Sequence, residues 1–306
     1  MNRRAAAVWG HLVGDAIGVP YESTDPASVG VVELRGGGRH GQPAGTWSDD
    51  GALMLALLDS LTEVGFAPVD QARRSIAWAM DGAYTPDGDG MFDIGRTTAG
   101  ALARARLGTP PLEAGGTGER DLGNGSLMRI LPLALVDLAP SDIALVEQAH
   151  LASRVTHGHP RCQVACALYV FIERRLLTGE PDRPGALHAS VRRLRELYAD
   201  GLAGSTPAHA SAFEELMEWS DRSGRGFVLD SFWSAWDAFA LAGSYAETIQ
   251  RAVRYGHDTD TTAAIAGGLA GIYWGVDETA GGIPGEWLAA LRGREIVEPL
   301  IQRLAD

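Results

Sequence analysis

Apolar positions recur at helical spacing along almost the whole chain. Residues 3–17 place Ala7, Val8, Leu12 and Ala16 on one face, and Gly18 and Pro20 end the run. Residues 49–64 gather Leu53, Met54, Leu57, Leu58, Leu61 and Val64, with Gly65 just past the end. The same period predicts helices over 69–81, 96–107, 125–138, 142–155, 160–178, 186–200, 208–220, 231–241, 245–255, 260–274 and 286–304, the last broken near Gly293. Pro132 should kink or restart the helix it falls in. Strand signals are nearly absent, and only Val31–Leu34 reads as a short strand. No composition change marks a linker and no fixed-period repeat stands out, so the pattern predicts one all-α domain over 1–306.

Composition narrows the function. A chain of 306 residues buries a core without needing disulfides, and 45% apolar with 21% charged residues is ordinary for a globular protein. The net charge of −13 is opposite to that of a free-standing nucleic-acid binder and compatible with cation binding. All 26 basic residues are arginine, which excludes Schiff-base lysine chemistry, a P-loop lysine and a kinase-type lysine. Cys162 and Cys166 sit in an apolar helical run and read as a buried, reduced pair. His11 and Asp15 interrupt the apolar stretch near the N-terminus, making it a poor signal peptide, and no run reaches the ~18 apolar residues of a membrane helix. These features predict a cytoplasmic protein. Glycine, 39 residues, concentrates in stretches such as 35–45, 82–95 and 115–125, which suit either a binding site or plain loop flexibility.

Two segments share a layout that carries chemistry. Ser48-Asp49-Asp50 leads directly into one apolar helix, and Asp258-Thr259-Asp260-Thr261 leads into another. Helix capping accounts for one oxygen side chain at each start. It accounts less well for several, because adjacent carboxylates repel by ~1 kcal/mol at 4 Å in water and ~4 kcal/mol at an effective dielectric near 20. A shared cation removes that cost, so capping and metal binding both stand at this point. The donors are hard oxygens, which suit Mg²⁺, Mn²⁺ or Ca²⁺ and not zinc. Gly123-Asn124-Gly125-Ser126-Leu127-Met128-Arg129 is expected to open a helix and to admit an anion, or to be an ordinary turn. Thr156-His157 after a helix end, and Gly14-Asp15 through Glu22, each have structural readings when taken alone.

Taken in order and at these separations, the segments resemble the ADP-ribosylglycohydrolase family. The matching pieces are Gly14-Asp15-Ala16 through Glu22, Trp47-Ser48-Asp49-Asp50, Asp93-Ile94-Gly95-Arg96-Thr97-Thr98, Gly123 to Arg129, Thr156-His157, and Asp258 to Thr261 with the small-residue helix that follows. The resemblance implies a single compact, orthogonal multi-helix bundle with a central site for two Mg²⁺, Mn²⁺ being an alternative. It implies hydrolysis at ribose C1″ of ADP-ribose attached to a protein side chain or a small conjugate, with nucleic acid entering only as an ADP-ribosylated substrate and no membrane partner. Ser48, Asp49, Asp50, Asp258, Asp260 and Thr261 match metal ligands. Glu22 matches a glutamate that reaches the metals or gates the pocket, and Asp49, Asp50 and Glu22 are the catalytic candidates. Gly123, Asn124, Gly125, Ser126, Leu127, Met128 and Arg129 match a substrate-contacting loop, and His157 a substrate-side histidine.

The chain departs from the family pattern twice: His257 stands where glycine is usual, which adds a side chain beside the expected metals, and Gly51 stands where threonine is common. Two other classes remain. One is a helical His-Asp metal phosphohydrolase, suggested by His257-Asp258 with His150, His157 and His159. The other is a catalytically silent binding member, against which the full acidic set argues.

Overall fold

The structure is a computed structural model that describes residues 2–304 apart from Asp89, Leu138, Glu180 and Pro181. Fifteen α-helices and no β-strand occur among the described residues, so the all-α expectation holds. The helices are α1 (Arg3–Gly18), α2 (Asp49–Val64), α3 (Pro68–Asp81), α4 (Arg96–Arg106) and α5 (Pro111–Ala114). They continue with α6 (Pro132–Leu135), α7 (Asp142–Arg154), α8 (Pro160–Leu177), α9 (Arg183–Ala199) and α10 (Pro207–Glu218). The last are α11 (Val228–Ala240), α12 (Tyr245–Arg254), α13 (Thr259–Trp274), α14 (Gly285–Ala290) and α15 (Arg294–Arg303). Side-chain caps start several of them: Asn2 accepts from Arg4 N–H, Ser141 from Ala144 N–H and Ser244 from Glu247 N–H. Proline in the first turn opens α3, α8, α9 and α10, where its missing N–H costs nothing.

Two expectations fail for local reasons. The helix expected over 125–138 shrinks to α6, its expected last residue, Leu138, lying outside the described residues. Residues 124–130 turn instead, with Met128 N–H bonded to Asn124 O and Ile130 N–H to Leu127 O, and Pro132 then restarts the helix. The strand expected at Val31–Leu34 does not form. Tyr21 Oη accepts the Glu33 N–H and donates to Val31 O, so a side chain takes the place of a partner strand. The break near Gly293 is present, with that residue left-handed between α14 and α15.

The core is organised around α13, which packs on α1, α12, α11, α8 and α2. Small residues let α1 and α13 touch backbone to backbone. A methyl group at Gly14 would stand 2.1 Å from Ala263 O, and one at Gly18 would stand 2.4 Å from Asp260 Cα. Thr259 Oγ1 also donates to Gly18 O at 2.8 Å. This close crossing fixes the start of α13 beside the end of α1, and the start of α2 meets them there. Cys162 and Cys166 are free and buried in α8, as expected.

Candidate active site

At the start of α2, Ser48 caps the helix by accepting from Asp50 N–H, and Asp49 and Asp50 occupy the first turn. A second anchor comes from α1. The Asp15 carboxylate accepts from Ser48 N–H and Gly51 N–H, which places both aspartates against α13. At the start of α13, Thr261 N–H bonds Asp260 Oδ1 at 2.9 Å, and Thr261 Oγ1 donates to Asp50 Oδ2 at 3.3 Å across a separation of 211 residues. Asp258 is held from the opposite wall by Asn124 Nδ2 at 2.8 Å, and the same amide donates to Ser231 Oγ at 2.9 Å. Ser48, Asp49, Asp50, Asp258, Asp260 and Thr261 thus converge.

Burial and mutual repulsion hold these acids above the usual carboxylate range. Asp49, Asp50 and Asp260 are raised far above it by burial first and by neighbouring aspartates second. Burial also raises Asp258, against the hydrogen bond from Asn124. Asp50 Oδ1 and Asp260 Oδ2 are buried with no hydrogen-bond partner. A cluster of hard oxygens with orphaned, buried carboxylate atoms is what a divalent cation completes, so these residues fit hard metal ions.

A cavity of about 370 Å³ opens over the cluster. Glu22, Asp49, Asp93, Asp258 and Thr261 line one part of it, while Ser48, Asp50 and Asp260 lie behind that wall. Gly123, Asn124, Gly125, Met128 and His157 line another part. Ser126, Leu127 and Arg129 do not reach the cavity. Leu127 is in the core, and Ser126 Oγ accepts from Ser153 Oγ at 2.9 Å. The buried Arg129 guanidinium donates to Gly125 O, Thr156 Oγ1 and Ala152 O, holding the loop from behind. The loop does not open a helix, so the helix-terminus argument for anion binding does not apply there. His157 Nδ1 lies 2.8 Å from Thr156 Oγ1, and burial, aided by Arg129, lowers the imidazole to about 3. The ring is therefore neutral near pH 7.

His257 behaves differently from its expectation. Its side chain does not line the cavity. Its backbone, left-handed at φ +60°, bonds Thr24 O and receives Ser23 N–H, docking the turn after Glu22. The histidine set of a His-Asp phosphohydrolase does not assemble. His150 stacks on His209 with centroids 4.6 Å apart and bonds Tyr198 Oη, and the one His-containing metal-type cluster among the described residues is Glu22, His40 and Asp93.

The sequence pattern assigns no role to Asp15 or to Arg96, Thr97 and Thr98, although all lie in matching segments, and it does not reach His40 or Arg120. Asp15 and Asp93 lay inside recognised segments without an assigned role. The isolated glycine stretch around His40 was the only signal for that histidine.

Comparisons with known proteins identify the family. The family model described as ADP-ribosylglycohydrolase matches residues 1–306. The chain is similar to the ADP-ribosylarginine hydrolase Tri1 of Pseudomonas putida (strain GB-1), at 28% identity over 100% of this chain and 78% of that protein. It is similar to the ADP-ribosyl-[dinitrogen reductase] glycohydrolase of Rhodospirillum rubrum, at 27% identity over 100% of this chain and 95% of that protein. A solved structure titled ADP-ribosylglycohydrolase-related protein complex superposes with a TM-score of 0.79 at 34% identity, covering 99% of this chain and 96% of that one. With the family model spanning its whole length, the chain belongs to the ADP-ribosylglycohydrolase family.

Proposed function

We propose that the protein is a divalent-metal-dependent hydrolase that cleaves the bond at ribose C1″ of ADP-ribose carried by a protein side chain or a small conjugate, releasing ADP-ribose. The observation that carries the reading is the meeting of Asp50 and Thr261, from helix starts far apart in sequence, beside two buried carboxylate oxygens with no partner. Family membership points the same way, and the named relatives act on ADP-ribosylarginine and on ADP-ribosylated dinitrogen reductase.

Ser48, Asp49, Asp50, Asp258, Asp260 and Thr261 would hold two Mg²⁺, or Mn²⁺ in their place. Bound there, such ions offset the carboxylate charge and polarise substrate oxygens. The rest falls to the chain. Asp49 and Glu22 open onto the cavity, so a carboxylate oxygen of either takes the proton of the attacking water and returns it to the acceptor, which leaves with the electrons of the C1″–acceptor bond. Asp50 does not line the cavity, so in this reading it binds an ion and leaves proton transfer to Asp49 or Glu22. Positive charge developing on the ribose ring is stabilised by Glu22, Asp93 and Asp258. Gly123, Asn124, Gly125 and Met128 present the substrate with a close-lying backbone. Thr156 Oγ1, itself held by Arg129, bonds His157 Nδ1 and so orients the neutral ring at the cavity wall. The whole chain acts as one family domain, and its buried free thiols suit the reducing cytoplasm.

The test is ADP-ribose release from substrates of defined linkage, with Mg²⁺ and with chelator, for the parent, Asp50→Asn and Asp260→Asn. Losses beyond 100-fold in the variants and abolition by chelator are expected. Variant activity within about tenfold of the parent overturns the assignment, since even outer-sphere partners of metal ligands typically cost 10–100-fold.

A further inference from the structure

The glycine-rich stretch at 35–45 forms a tight reverse turn. Gly37 N–H bonds Gln42 O at 2.8 Å, and Gly37, Gly38 and Gly41 are all left-handed. A side chain at Gly38 would begin 2.6 Å from Pro20 Cα, so the turn lies directly on the segment leading to Glu22. Its tip carries Arg39 and His40. His40 Nε2 contacts Glu22 Oε2 and lies 3.5 Å from Asp93 Oδ1. Arg39 Nη1 stands 3.5 Å from Glu22 Oε1 and donates to Ser23 Oγ at 2.7 Å. Neighbouring side chains of one turn therefore grip both oxygens of Glu22. His40 itself does not line the cavity.

We propose that this tip is a clamp in which His40 is a positioning residue, holding the Glu22 and Asp93 carboxylates together at the cavity wall. Two like charges from distant segments repel, and an imidazole between them with a guanidinium beside Glu22 fixes their spacing. The proposal rests on the functional reading above, in which both carboxylates act on the ribose. Since His40 acts through them, its removal should slow turnover more than it weakens substrate binding.

The experiment measures kcat and KM for ADP-ribose release by the parent, His40→Ala, His40→Gln, Glu22→Gln and the double variant His40→Ala with Glu22→Gln. We expect kcat of His40→Ala to fall about 10–100-fold with KM within about threefold, and His40→Gln, which keeps an N–H donor, to recover part of the loss. In the Glu22→Gln background the His40 loss should shrink, what remains being its hold on Asp93. Parent-like kcat in His40→Ala, or full additivity in the double variant, overturns the proposal. A second measurement is independent of activity. In the holoprotein, the His40 Nε2–H resonance should be hydrogen-bonded and protected from exchange, and Glu22→Gln should shift it. An unchanged resonance refutes the clamp even if the protein folds and turns over, whereas failure of the unaltered protein to release ADP-ribose refutes the functional reading instead.

Discussion

Asp15 Oδ2 accepts the Gly51 N–H at 2.8 Å, and the same carboxylate spans the Ser48 N–H, tying α1 to the first turn of α2. An external carboxylate thereby does for α2 what a second cap would do, satisfying free helix-start donors and pointing Asp49 and Asp50 at α13. Burial raises Asp15 to about 7 despite these bonds, so the arrangement is held at an electrostatic cost.

Asp15→Asn relieves that cost but disturbs the pairing at the start of α2, and the disturbed pairing should dominate and destabilise the fold. An amide oxygen in place of Oδ2 must serve both N–H groups alone, while the NH₂ in place of Oδ1 faces the Ser48 N–H donor to donor. A loss of about 1–3 kcal/mol in denaturant unfolding is expected, with weaker Mg²⁺ binding by calorimetry. Unchanged stability and unchanged ion affinity would show that Asp15 does not set the helix start.

Gly51 is a packing requirement of this chain. A methyl group there would stand 2.8 Å from Leu12 Cδ2 and 2.8 Å from Trp47 Cδ1, both buried. Gly51→Thr, which restores the residue common in the family, should destabilise by about 1–3 kcal/mol through overpacking, whatever it adds locally. A raised thermal midpoint would contradict this.

His257→Gly should be tolerated or stabilising. The native residue is left-handed at φ +60°, a conformation that costs an L side chain roughly 1–2 kcal/mol and a glycine little. The contacts it makes to residues 23 and 24 are through the backbone and survive the change. Activity within about threefold of the parent is expected. A large loss would assign the imidazole a role that its position outside the cavity lining denies it.

The ordered segments in the sequence located most of this site, because metal-type donors and caps declare themselves by residue type. Helix starts at Ser48-Asp49 and Asp258-Thr259 were readable for the same reason. The long-range geometry was not. Nothing local says that Asp15 reaches Gly51, or that His40 reaches Glu22, since such pairs depend on how α1 crosses α13 and how the 35–45 turn folds back. The lost helix at 125–138 has a similar origin. Its apolar residues are buried at helical-looking intervals, but the Arg129 side chain and Pro132 impose turns that periodicity does not register.

Glu173 on α8 gives a pH-dependent test away from the site. Its side chain is buried, and neither carboxylate oxygen has a partner. Burial raises it well above the carboxylate range, outweighing the nearby Tyr169 hydroxyl and Arg174. Tyr169 Oη gives its proton to Ile265 O at 2.8 Å, which leaves that oxygen able to accept from a protonated Glu173. The neutral acid is thus the form that the core accommodates. A carboxyl raised in the folded state costs stability from its unfolded pKa upward, the cost growing until pH passes the folded pKa and fading as pH falls back toward the unfolded one. Glu173→Gln keeps the shape and supplies a donor at every pH. The variant should be more stable than the parent at pH 8, and its advantage should shrink at pH 5. Parallel stability curves for the two proteins across that range would mean that Glu173 takes up no proton on folding, so that burial does not raise it.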